Sequence, residues 1–153
     1  MELAIHLADD LKTKTDESNL GFGIHFTDHM FNMDYTPEKG WHNPRIDPYS
    51  FMKMDPACMV LHYGQAVFEG LKAYRTDSGN IQLFRPKDNL KRMNRSCQII
   101  CIPEFDEEFA LEALKELVNL EKDWVPHVPQ TSLYIRPTIV AVDPALGLRV
   151  SNT

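Results

Sequence analysis

Residues 61–75 read LHYGQAVFEGLKAYR, and the fold is read outward from this stretch. Val67 to Arg75 is strand-like, TDSGN at 76–80 supplies a turn, and Ile81 to Phe84 returns as a second strand. Together they make the pattern of a β-hairpin with a glycine-containing loop. Upstream, Ala57 to Leu61 predicts a further strand leading into Tyr63. Gly64 and Gly70 suit positions where the backbone needs unusual geometry or approaches a neighbour closely.

Downstream, Pro86 suits the first turn of a helix, where its missing N–H would have no partner anyway. Leu90, Met93, Cys97 and Ile100 follow at helical spacing until Pro103 stops the pattern. Asp106 is a good N-cap for a second helix, with Glu107 and Glu108 favourably placed at the positive end of its dipole. Phe109, Ala113, Leu117 and Leu120 are its expected buried stripe. After Pro126 and Pro129, Leu133 to Val142 is rich in β-branched residues and predicts a well-buried strand. At the other end, Met1–Lys12 reads as a short helix and TKTDESN as a loop. Phe22, Ile24 and Phe26 alternate as in a half-buried strand, and residues 36–50 are dense in turn formers. Hairpin strands with two separate helices imply an α+β domain, a mostly antiparallel sheet flanked by helices.

The chain of 153 residues, 43% hydrophobic and 25% charged, can bury a core as one globular unit. Its net charge of −6 is spread over interleaved acids and bases, without the basic stripe that nucleic acid requires. No apolar run approaches the roughly 20 residues of a membrane span. The N-terminus is too acidic for a targeting signal, so a cytoplasmic protein is expected. Cys58, Cys97 and Cys101 form no CxxC pair and are read as small buried hydrophobes. His25, Asp28 and His29 make one patch without further ligands, and no metal is expected.

Several residues could carry chemistry. Arg92 shares its helix side with Asn89 and Ser96, away from the Leu90–Met93–Cys97 stripe. It is either part of a solvated face or the fixed cation that a phosphate group needs. Tyr63 offers an apolar ring with a polar tip, for a core or for a pocket. Glu69 could orient a neighbour by hydrogen bonds.

Five segments, in order, are LGFGIHFTDHM at 20–30, LHYGQAVFEGLKAYR at 61–75, FRPKDNLKRMNRS at 84–96, EKDWVP at 121–126 and TSLYIRP at 131–137. They closely resemble the branched-chain aminotransferases, the pyridoxal-phosphate enzymes of fold type IV. The resemblance covers roughly residues 20–148. It implies an N-terminal extension at 1–19, the small N-terminal domain of that fold at 20–148, and the start of an interdomain linker at 149–153. It also implies transfer of an amino group between L-leucine, isoleucine or valine and 2-oxoglutarate, with pyridoxal phosphate as cofactor. The family's phosphate-binding arginine falls on Arg92, and its substrate-pocket residues fall on Phe22, Tyr63, Tyr134 and Arg136. Arg136 would meet the second carboxylate of the acidic substrate; an ion pair with Glu69 is the other reading. Leu146 and Leu148 would lie on the loop that reaches the partner subunit of a homodimer. The lysine that carries the cofactor belongs to a later, larger domain, and no lysine here stands in a matching segment. No catalytic residue is therefore expected in this chain, which alone should be inactive. The alternatives are a non-catalytic interaction or dimerisation module, or a class IV relative acting on D-amino acids or aminodeoxychorismate.

Overall fold

A computed structural model describes residues 1–153. The expected hairpin forms from β5 (Leu71–Arg75) and β6 (Ile81–Leu83), with Gly79 at φ +83° in the turn. The strand expected from Val67 to Arg75 is divided. Its first part, β4 (Ala66–Phe68), pairs with β8 (Thr138–Val140), and β5 pairs with β7 (Leu133–Ile135), both antiparallel. One register runs through both pairs, so Glu69 stands opposite Pro137 and Gly70 opposite Arg136. Pro137 has no N–H to donate, which opens the ladder there, although its carbonyl still accepts from Glu69 N at 3.0 Å. The downstream strand, read as one well-buried run, is likewise split and only half-buried.

The two predicted helices are α2 (Pro86–Ile99) and α3 (Glu107–Leu120). The Asp106 carboxylate accepts from Glu108 N and Phe109 N, the N-cap bonds expected of it. The core divides into two clusters. Val67, Leu90, Met93, Cys97, Ile102, Phe105 and Leu111 form one; Leu71, Ala73, Leu114, Val118 and Val125 form the other. α3 thus buries Leu111, Ala113, Leu114 and Val118, and the expected Phe109, Leu117 and Leu120 are only partly covered. Its apolar surface is broad, and the position of the sheet, not the helical period, chose the centre of the stripe.

Four expectations are corrected. Met1–Lys12 is extended: β1 (Ala4–Ile5) lies parallel to β3 (Gly40–Pro48), and the N–H groups of Ala8 and Lys12 go to His29 and Asp28. Tertiary partners outcompete a helix too short to stand alone. Residues 36–50 are mostly strand, since β3 pairs with β2 (His29–Thr36). Pro44 is tolerated because it sits with Asn43 in a bulge opposite Met33, Asn43 taking φ +53°. Phe22, Ile24 and Phe26 form no strand; Gly21 and Gly23 turn at φ +65° and +70°. The segment from Ala57 to Leu61 becomes a short helix, α1 (Met59–Tyr63), whose first N–H groups bond to Asp143 and Ala141 carbonyls and which Gly64 ends at φ +67°.

Cys58 and Cys97 are buried, and burial pushes the Cys97 thiol up to about 11. Cys101 is exposed, against expectation, on a turn at φ +57°. No helix is long and apolar enough to cross a membrane.

Candidate functional site

Along β4 and β5, Val67, Glu69, Leu71 and Ala73 point inward and are buried, whereas Phe68, Lys72 and Tyr74 are exposed. Glu69 is the only charged member of the inward set, and only 7% of it is exposed. Its position brings it to α2, where Asn89 and Arg92 lie one turn apart. Arg92 donates from Nε to Oε1 at 2.6 Å and from Nη2 to Oε2 at 2.7 Å. Asn89 Nδ2 bonds both Oε2 and the Gly70 carbonyl, and Gly70 N–H also donates to Oε2. The Arg92 bonds hold the Glu69 carboxyl below the usual carboxylate range against the opposing pull of burial, with Asn89 and Gly70 adding to them. Glu69 in turn raises Arg92 further.

On the outward side, Gly70 is covered by Tyr134, whose hydroxyl would lie 2.1 Å from a Cβ at residue 70. Phe22 meets the Tyr134 ring edge-on at 5.1 Å. Arg136 Nη2 donates to the Tyr134 hydroxyl at 3.0 Å, and its guanidinium lies 4.5 Å from the centre of the Phe68 ring. Arg136 has no acidic partner; the ion pair with Glu69 does not form, because Arg92 holds that carboxylate. Three of the expected site residues, Phe22, Tyr134 and Arg136, therefore gather on one side of Gly70, and Arg92 stands beside it through Glu69 and Asn89. Phe68 joins the aromatic group unanticipated. Strand alternation with Gly70 was the signal that could have found it.

Tyr63 is placed differently. Its hydroxyl accepts from Gly147 N–H at 2.8 Å, tying α1 to the loop that carries Leu146 and Leu148. Both leucines are exposed, Leu148 almost wholly.

The geometry fits an anion beside Arg92. Its side chain is 65% exposed, Nε and Nη2 are fixed by Glu69, and Nη1 makes no bond. Neighbouring aromatic rings and an acid-free guanidinium offer an apolar wall with one cationic point, a suitable lining for an amino acid side chain. No group of three His, Cys, Asp or Glu side chains is arranged to hold a metal. Asp28 and His29 instead form a buried anchor with Glu121, and His25 is exposed.

No protein-family model matches the sequence. Branched-chain-amino-acid transaminase 1 of Bacillus subtilis is 59% identical over 142 residues, 93% of this chain and 40% of that protein. Branched-chain-amino-acid aminotransferase 2 of the same organism is 53% identical over 151 residues, 99% of this chain and 42% of its own length. The chain thus spans about two fifths of the curated relatives it matches. The structure of the branched-chain aminotransferase of Thermoproteus uzoniensis with norvaline aligns at a TM-score of 0.58 and 30% identity, over 69% of this chain and 34% of that one. The branched-chain amino acid aminotransferase of Escherichia coli aligns at a TM-score of 0.55 and 27% identity, over 71% of this chain and 34% of that one. In sequence and in fold, this chain is similar to a part of the branched-chain aminotransferases.

Proposed function

We propose that this chain is the small domain of a protein that moves an amino group between L-leucine, isoleucine or valine and 2-oxoglutarate, using pyridoxal phosphate. The observation that carries this reading is the arrangement around Gly70: an exposed, pre-oriented Arg92 on one side, and Phe22, Phe68, Tyr134 and Arg136 on the other. When bound, the cofactor supplies an electron sink for chemistry at the substrate α-carbon. The residues of this chain bind and orient. Arg92 would hold the phosphate by its free N–H edge. Phe22, Phe68 and Tyr134 would wall the apolar substrate side chain, and Arg136 would meet the second carboxylate of 2-oxoglutarate, which would be costly to bury unpaired. Tyr63 would hold the Gly147 loop, with Leu146 and Leu148 offered to a second copy in a homodimer. The likeness to relatives that carry the branched-chain name supports the substrate class.

By itself the chain should not turn over substrate, because none of its lysines stands in a segment resembling the lysine motif of the branched-chain aminotransferases. The test is to incubate it with pyridoxal phosphate, reduce with borohydride, read the intact mass and labelled peptide, and assay leucine transamination. The expected result is no single-site lysine adduct and no turnover from this chain, with both from the full-length protein. One stoichiometric adduct with turnover from this chain would overturn the domain reading. A full-length protein preferring D-alanine to L-leucine would overturn the substrate reading.

A further inference from the structure

Glu69 occupies a position whose inward neighbours, Val67, Leu71 and Ala73, are all apolar. An apolar residue would satisfy that packing, whereas a buried carboxylate needs partners. Every partner it has leads to Arg92 or to the backbone at Gly70. An arginine on an exposed helix face has many rotamers, and a bidentate carboxylate fixes the plane of its guanidinium. We propose that Glu69, supported by Asn89, is a positioning residue that aims the free edge of Arg92 at the cofactor phosphate. This rests on the reading of Arg92 given above and goes beyond it.

The geometry assigns the two helpers separate tasks. Glu69 engages Nε and one N–H of Nη2 together and leaves Nη1 and the second N–H of Nη2 for an anion. Asn89 bonds Glu69 and the Gly70 carbonyl, and so locks the ion pair to the residue that Tyr134 covers. The phosphate point and the substrate wall thereby share one backbone reference. The Glu69–Arg92 pair is formally neutral, so Glu69 supplies direction and no attraction of its own.

The experiment uses the full-length protein and measures affinity for pyridoxal phosphate and for pyridoxal, which lacks the phosphate, by absorbance titration. Wild type, Glu69→Gln, Arg92→Ala and the double variant are compared. In Glu69→Gln an amide NH2 replaces one acceptor and faces an N–H of Arg92. The expected result is a loss of roughly tenfold in pyridoxal phosphate affinity, corresponding to one charge-assisted bond. Pyridoxal affinity stays unchanged, and the double variant is no weaker than Arg92→Ala. If Glu69→Gln weakens both ligands alike, or adds its loss on top of Arg92→Ala, Glu69 acts through packing and the proposal fails. It fails too if Glu69→Gln binds as wild type while Arg92→Ala does not. If Arg92→Ala itself keeps full affinity, the phosphate reading of Arg92 falls first and takes the proposal with it. Should Glu69→Gln not fold, Glu69→Asp keeps the charge but cannot reach both donors; a smaller, phosphate-specific loss supports the proposal and no loss overturns it.

Discussion

Gly70 lacks a side chain for a reason visible at the residue scale: the Tyr134 hydroxyl and ring fill the space a Cβ would need, at 2.1 and 2.9 Å. Gly70→Ala must push Tyr134 away, and with it the Arg136 contact. The expected cost is about 1–3 kcal/mol of stability from overpacking, read as a lower midpoint in urea, with a fall in turnover of the full-length protein. Adding Tyr134→Phe removes the worst clash, so the double variant should recover part of the stability. No recovery would mean that the strain lies elsewhere. The aromatic identities at 22 and 134 were legible from family motifs. Their mutual contact was not, because 112 residues of path between them say nothing about which rings meet.

At the scale of elements, the helices follow local rules and the strands do not. α3 starts where Asp106 can accept two N–H groups, so Asp106→Ala should destabilise the domain by about 1 kcal/mol. Equilibrium urea unfolding would measure it, and Asp106→Ser should restore most of the loss. β3 carries Pro44 and still forms a central strand, because the bulge with Asn43 takes the proline out of the ladder. The sequence around it looks like turns; the partner strand β2 decides otherwise.

Across the whole molecule, the N-terminal segment is fastened to the far end of the chain through Asp28. Burial pulls this carboxyl upward, but bonds from Lys14, Trp124 and the Lys12 backbone outweigh it and hold it at about 2. A folded value below the unfolded one gives stability that is fully present above about pH 4. That stability is lost as the pH falls toward 2. The contribution is about 2 kcal/mol, since Lys14 is partly exposed and screened. Asp28→Asn should therefore lower stability by about that amount near neutrality, and its difference from wild type should shrink between about pH 4 and 2. Denaturant titrations across that range check both magnitude and sign. A second whole-molecule expectation concerns surface: Phe22, Phe51, Phe68, Ile99 and Leu148 are all largely exposed. Such apolar exposure favours association, so the isolated chain should self-associate as concentration rises in light scattering; a monodisperse monomer throughout would contradict this.

The hairpin at 71–83, both long helices and the Asp106 cap were determined by the sequence itself, because helical period, capping and turn chemistry act between residues a few positions apart. The motifs also determined which residues to watch. Only the tertiary structure decided that residues 4–5 become a strand, that 59–63 coil into a helix, and that Glu69 chooses Arg92 over Arg136. The physical reason is common to all three. A strand edge, an uncapped N–H and a buried carboxylate each need a partner, and the partner that satisfies them lies far along the chain.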